Sequence, residues 1–329
     1  MHAKGYFNDT LHRKIADKVS TQNYTCARCH MPMADNIDAL MSGEARPDKS
    51  NKTHTDAISC YFCHTIAYVK KAHRFNINTK ARQADGYKPT LYGRLENPDS
   101  SDKHDSVKNP IYGQKVCMGC HSHKLNENNV TIFRAMNEKQ NSLGCIKCHM
   151  PEVDGGVEKM DKRARGHHAS HRFLGIHDKA FRKTGVDMNL SKVDDGIEVT
   201  LTNKMKHPLI IQPARAKFLK VEVVRNGNVV WQNFKTSPSE DKQGYFAYFF
   251  TKDGKDVTLP AHATKGRAHN LEAKETKVLH YTIPTLQKGD EVQVGLYVQL
   301  AKDACSGIVD LSDTNLTTPQ LIKQEKLKF

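Results

Sequence analysis

Four copies of one short motif constrain this chain more than anything else in it. They are Cys26-Ala-Arg-Cys29-His30, Cys60-Tyr-Phe-Cys63-His64, Cys117-Met-Gly-Cys120-His121 and Cys145-Ile-Lys-Cys148-His149. The chain has 329 residues, with 9 cysteines and 18 histidines. At that composition chance supplies on the order of 0.01 Cys-x-x-Cys-His. The motif is the attachment signal of a c-type haem. Its two thiols add to the two vinyl groups of the porphyrin, and one turn of helix brings both within reach. The histidine that follows then lies under the iron. The expectation is four covalent c haems, with the eight cysteines as anchors and His30, His64, His121 and His149 as proximal ligands. Two Cys₄ zinc sites would use the same thiols but leave a histidine after every pair unexplained. A disulfide framework is unnecessary in a chain long enough to bury a core.

Charge and location follow. Lys and Arg number 50 and Asp and Glu 36, a net charge of +14. A basic balance permits nucleic-acid binding, but no basic repeat or nucleic-acid motif supports it. A ferric bis-histidine haem carries about −1 and a ferrous one about −2, so four bring the total to roughly +10 or +6. The remaining basic surface suits redox protein partners of acidic surface. No run of eighteen apolar residues exists, so no transmembrane segment is expected. Covalent haem attachment takes place outside the cytoplasmic membrane, which implies an exported protein, periplasmic or extracellular. No charged stretch followed by an apolar one opens the sequence, so a signal peptide is expected to have been removed.

The motifs are unevenly spaced, so the chain is not a solenoid. Thr10 to Lys18 reads as a helix, and residues 80–115, rich in Gly, Pro and Asp, read as irregular. After Asp187 the character changes. Ile197, Val199 and Leu201 alternate with polar residues, the period of a half-buried strand. Leu219, Val221 and Val223 repeat the pattern and lead to Asn226-Gly227, a strong hairpin signal, and then Val229-Val230-Trp231. Tyr245 to Thr251, Leu279-Tyr281-Ile283 and Val292 to Leu300 complete about seven strands. The expected fold class is α+β multidomain. A mainly helical or irregular tetrahaem cytochrome c domain over 1–187 is followed by an immunoglobulin-like β-sandwich over 188–329. Trp231 is expected in the sheet core, and Cys305, the odd cysteine, as a buried thiol.

Fourteen histidines lie outside the motifs. A second axial ligand for each iron would use four, which favours His/His over Met/His ligation. Met31 and Met150 directly follow proximal histidines, and Met118 lies inside a motif. The cluster His167, His168, His171 and His177 is dense enough to supply ligands, and His207, held beside Pro208, is a further candidate.

These residues resemble the multihaem cytochromes related to the tetrahaem electron acceptor of hydroxylamine oxidoreductase, over roughly residues 1–180. His2-Ala3-Lys4-Gly5 is similar to a histidine-alanine element whose histidine is distal to a later haem, here the one on His64. His104 resembles a distal histidine placed ahead of a haem motif. Ser170-His171-Arg172-Phe173-Leu174-Gly175, after Cys148-His149-Met150-Pro151, resembles an ending of the haem domain and implies a ligand role for His171. Leu201-Thr202-Asn203 with His207-Pro208 is similar to a segment that relatives append to that domain. The resemblance thus implies distal His2, His104, His171 and His207, with His73, His12, His177 and His168 in reserve. His73 matches a histidine serving a haem upstream of the His-Ala element. Either it has another role here, or the native protein continues toward its N-terminus.

The functional expectation is an electron carrier whose four haems are mostly bis-histidine. One alternative is a reductase or oxidase of a small nitrogen or sulfur compound, which needs one open iron face. Another is a homo-oligomer, as in an extracellular cytochrome filament.

Overall fold

Each Cys-x-x-Cys-His closes about one turn of helix in the computed structural model, which describes residues 2, 5–19, 22–70, 75–79, 88–113, 115–135, 144–155, 165–307, 312 and 314–329. The turns are Ala27–His30, Cys60–His64, Met118–His121 and Cys145–His149. Ser59 starts the second by accepting the Phe62 N–H on its side chain, a helix N-cap. Asp9 does the same for Thr10–Val19, accepting the His12 N–H at 2.9 Å.

The chain divides into two compact units, Met1–Ser122 with Gln140–Leu174, and His123–Lys139 with Gly175–Phe329. The sequence placed its boundary at 187/188 and did not foresee that 123–139 belongs with the C-terminal part.

The first unit holds the motif helices and three short strand pairs. Strands β1 (Ile66–Val69) and β2 (Asn76–Asn78) are antiparallel, and β3 (Thr90–Gly93) and β4 (Asp105–Lys108) parallel. Between motifs three and four the chain forms β5 (His123–Leu125) and β6 (Thr131–Arg134), a hairpin that belongs to the second unit. The antiparallel pair β7 (Glu152–Asp154) and β8 (His167–Ala169) follows in the first unit. Apolar packing here is local. Tyr6, Tyr24, Met31 and Leu40 gather beside the first motif, and Phe62, Ile66 and Tyr112 beside the second.

The second unit is built from strands. β9 (Val186–Val193), β10 (Gly196–Asn203) and β16 (Thr276–Thr282) form one antiparallel sheet in the order β16-β10-β9. β11 (Ala216–Arg225), β13 (Tyr245–Lys252), β14 (Lys255–Val257), β17 (Glu291–Gln299) and β18 (Gln320–Lys328) run β14-β13-β11-β17-β18 in a second sheet, where β12 (Asn228–Gln232) pairs with β11 and β15 (Lys265–His269) with β13. Asn226 and Gly227 take φ of 50° and 81°, the left-handed values a two-residue hairpin requires. Ile197, Val199, Leu201 and Leu279 of the smaller sheet share one core with Leu219, Val221, Val294 and Leu296 of the larger. The β5–β6 hairpin is stitched into this unit. Val130 joins the core, Asn126 Nδ2 donates to the Pro260 and Ala263 carbonyls at 2.7 and 2.9 Å, and Arg134 grips Glu272 with both terminal nitrogens.

The expected fold class is overturned. Strands take 35% of the described residues and helices 22%, so the chain is β-rich and not mainly helical. Motif helices stop after a turn, and segments such as Ile66-Ala-Tyr-Val69 and Thr90-Leu-Tyr92, rich in β-branched and aromatic residues, pair as strands. Among the described residues no helix is long and apolar enough to cross a membrane.

Candidate metal centres

Residues i and i+3 of one helical turn share a face, so each motif points its two thiols the same way. No two of the nine cysteines are joined in a disulfide. The motif histidine sits one residue further on, where the backbone often fixes its tautomer. His64 Nδ1–H donates to the Tyr92 carbonyl at 2.8 Å, and His149 Nδ1–H to the carbonyl of Leu174. A carbonyl only accepts, so Nδ1 carries the proton and Nε2 keeps the lone pair a metal needs.

Two imidazoles bound trans to one metal, each with its nitrogen about 2 Å away, hold their ring centroids about 6 Å apart. His2 and His121 lie 6.0 Å apart at an interplanar angle of 90°. His64 and His171 lie 6.1 Å apart at 33°. His171 Nδ1–H donates to the Ala169 carbonyl at 2.9 Å, again freeing Nε2. Nδ1 of His2 is buried with no hydrogen-bond partner, and Phe173 packs on the ring at 4.6 Å. Leaving such a nitrogen unsatisfied costs about 1–3 kcal/mol. Burial also lowers the His2 pKa and favours the neutral, ligating form.

His2 thus faces His121, not His64 as the resemblance implies. The Gly5 and Ile58 N–H groups donate to its carbonyl at 3.1 and 3.4 Å, and they fix where its ring can reach. His12, a reserve candidate, meets the first motif. Its ring stacks on that of His30 at 3.8 Å and 10°, a contact too close to admit a metal between them. Burial pulls His12 down to about 4, and burial with the neighbouring His12 pulls His30 down to about 3, so both rings are neutral at pH 7. Tyr24 Oη lies 3.1 Å from His12 Nε2.

The other candidates are placed differently. His104 hydrogen-bonds Ser106 Oγ at 3.1 Å, and its ring meets no motif histidine among the described residues. His207 Nδ1–H donates to the Pro208 carbonyl at 2.9 Å within the second unit, and His168 Nδ1–H to that of Gly155 at 2.6 Å. His177 is exposed. His73 lies outside the described residues. His54 illustrates the ordinary alternative. Buried at 1% exposure, it accepts the Asp48 N–H at Nδ1 and donates to Asn36 Oδ1 from Nε2, so neither nitrogen is left for a metal.

The thiols of different motifs converge. Cys117 and Cys145 hydrogen-bond each other, and that bond with burial pushes the Cys117 thiol far above its usual range. Cys63 is near enough to add to the effect, and burial lifts its own thiol to about 11. Cys29 and Cys120 line one cleft of about 520 Å³ with Phe62, Phe75 and Asn76. Asn76 Nδ2 lies 3.8 Å from Cys120 Sγ, while its Oδ1 is buried without a partner. Position 119, between the cysteines of the third motif, must be glycine, because a Cβ there would stand 2.7 Å from the Asn76 backbone nitrogen. The donor set, the orphaned His2 nitrogen and the cleft fit a planar, thioether-anchored iron porphyrin.

Sequence reasoning had no means of finding the Tyr92, Leu174 and Ala169 carbonyls, since any residue supplies one. Phe173, beside the candidate His171, was legible only as part of a resemblance. Trp231 is half-buried at the edge of the second unit's core, and Cys305 is fully buried, its thiol 3.7 Å from the Ala214 carbonyl.

No family model and no curated protein matches this sequence. Among solved structures, the crystal structure of a penta-heme cytochrome c552 from Thermochromatium tepidum aligns with a TM-score of 0.76 and 22% sequence identity, over 100% of this chain and 94% of that one. The chain therefore shares the fold of a multihaem c-type cytochrome.

Proposed function

We propose that this is an exported multihaem electron carrier, with four c haems anchored at Cys26/Cys29, Cys60/Cys63, Cys117/Cys120 and Cys145/Cys148. The observation that carries the reading is the pair of facing imidazoles, His2 with His121 and His64 with His171, each at the separation a shared iron would impose. Haem iron held by two imidazoles supplies reversible one-electron chemistry and has no position for a substrate.

The chain's own residues do the rest. The carbonyls of Tyr92, Leu174 and Ala169 hold ring nitrogens in the ligating tautomer. The contact between Cys117 and Cys145, with Cys63 nearby, brings the anchors of three motifs together, so electrons would pass over short gaps. The likeness in fold to a penta-heme cytochrome supports the reading, although this chain has four motifs where that protein's name gives five haems.

Mass spectrometry and the pyridine haemochrome spectrum of the mature protein test it. Four haems per chain and low-spin ferric EPR signals are expected. Substituting His171→Ala should convert one signal to high spin. Fewer than three haems, or an unchanged EPR spectrum in H171A, would overturn the assignment.

A further inference from the structure

We propose that Arg28, Lys70 and Phe75 form the docking point at which a carboxylate-rich redox protein exchanges electrons with this one. The inference rests on the haem reading and deepens it by naming the partner's chemistry and its landing site.

The Arg28 guanidinium lies 5.1 Å from the Phe75 ring centroid and the Lys70 ammonium 4.7 Å from it. Each gains from the ring's negative face, but two cations gathered on one ring repel each other. Elsewhere in the first unit cations meet carboxylates, as in Arg94–Glu152 and Arg165–Asp99, both at 3.1 Å. Among the described residues neither Arg28 nor Lys70 has a carboxylate partner, and both are exposed. The contact made by Arg28 besides the ring is with Met41 Sδ at 4.0 Å.

The place matters as much as the charge. Arg28 stands between Cys26 and Cys29, on the turn that would carry the thioether links. Arg28 and Phe75 border the cleft that Cys29 and Cys120 also line. In a c haem the propionates leave the ring edge opposite the vinyl-derived thioethers. Arg28 is therefore on the wrong edge to neutralise the propionates of the haem on its own motif. Its exposed guanidinium stands instead beside the thioether edge, where a docking partner would approach. A polypeptide of net charge +14, still roughly +10 with four ferric haems, attracts acidic proteins in general, and an unpaired cation pair at a haem edge turns that attraction into orientation.

The test compares two electron donors of opposite charge on the mature full-length protein. Stopped-flow reduction is followed with a reduced acidic ferredoxin and with the cationic reductant hexaammineruthenium(II), over a series of salt concentrations. For the double variant R28E/K70E, the ratio of the ferredoxin rate to the ruthenium rate at low salt should fall by at least about tenfold, and the salt dependence of the ferredoxin rate should flatten. The charge-keeping variant R28K/K70R should retain most of the parent ratio. A ratio within about twofold of the parent in R28E/K70E would overturn the proposal. So would an unchanged salt slope accompanied by a shifted midpoint potential, which would assign the cations to propionates of a neighbouring haem. Should the parent protein lack haem, the electron-carrier reading falls with the docking site, whereas a fully haem-loaded parent with an unchanged ratio removes the docking site alone.

Discussion

The two units are of similar length and solve the problem of a core in opposite ways. In the second, Ile197, Val199, Leu201, Leu219, Val221, Val294 and Leu296 are all fully buried and face one another from two sheets. In the first, buried apolar side chains form small separate groups, Tyr6 to Leu40 around one motif and Phe62 to Tyr112 around another. Removing apolar surface from water is the main drive to fold, and a set of small clusters removes little. The second unit carries its drive in its own side chains. The first lacks it, and four porphyrins would supply the missing apolar area. A chain can thus encode one half by hydrophobic periodicity and the other by covalent attachment points.

The harshest way to break this comparison is to produce the chain in a host without haem maturation. Amide exchange and limited proteolysis should then show protection in the second unit and cleavage throughout the first. Protected amides in the Cys26–Cys63 region of such haem-free protein would end the comparison. Next in size is a cavity in the self-sufficient core. Leu296→Ala should lower the denaturant stability of the second unit by about 2–5 kcal/mol. Leu40→Ala in the mature first unit, equally buried, should cost less, because its apolar cluster is small and, on the proposed reading, the porphyrin held at Cys26 and Cys29 would keep it together.

A smaller effect concerns pH. Lys217 lies in the second unit's interior with its ammonium on the Leu209 carbonyl, and burial, with Arg215 adding like charge, lowers it from 10.5 to about 7. Between those values the unfolded chain binds a proton that the folded one does not, so stability rises as pH rises through this window. Lys302, pulled down to about 8 by burial, acts in the same sense. The melting temperature should climb from pH 7 toward pH 10, and Lys217→Met should flatten that climb while raising the curve at neutral pH. A melting temperature that falls over this range would contradict the assignment. The smallest expected change comes from Lys326→Ala, which removes an exposed ion pair with Glu291 at 2.8 Å and should leave the melting temperature where it was.

Legibility in the sequence follows the same division. The alternation at Ile197-Val199-Leu201 became β10, that at Leu219-Val221-Val223 became β11, and Asn226-Gly227 became the hairpin between β11 and β12. Period and turn chemistry act within a few residues, so a sequence displays them openly. In the first unit such signals are weak. Residues 90–93 and 105–108 form a parallel pair across a long connection, a pairing no local pattern announces. The motif cysteines and histidines were plain because a covalent reaction demands fixed spacing. Their opposite numbers were not, because a histidine at any distance along the chain can face an iron. His2 meets His121 and His171 meets His64 across separations that only the fold sets. His12 stood merely in reserve, although it lies directly on His30.

The hairpin between the third and fourth motifs forbids any clean cut of this protein into halves. Ending the chain after Leu174 would leave Val130, Asn126 and Arg134 without the core, the carbonyls of Pro260 and Ala263, and the carboxylate of Glu272. Starting it at Gly175 would remove the same plug from the other side. As the chain emerges, then, the stretch following His121 must wait, unsatisfied, until more than a hundred later residues have followed it, so the two stretches of sequence are bound to finish folding together.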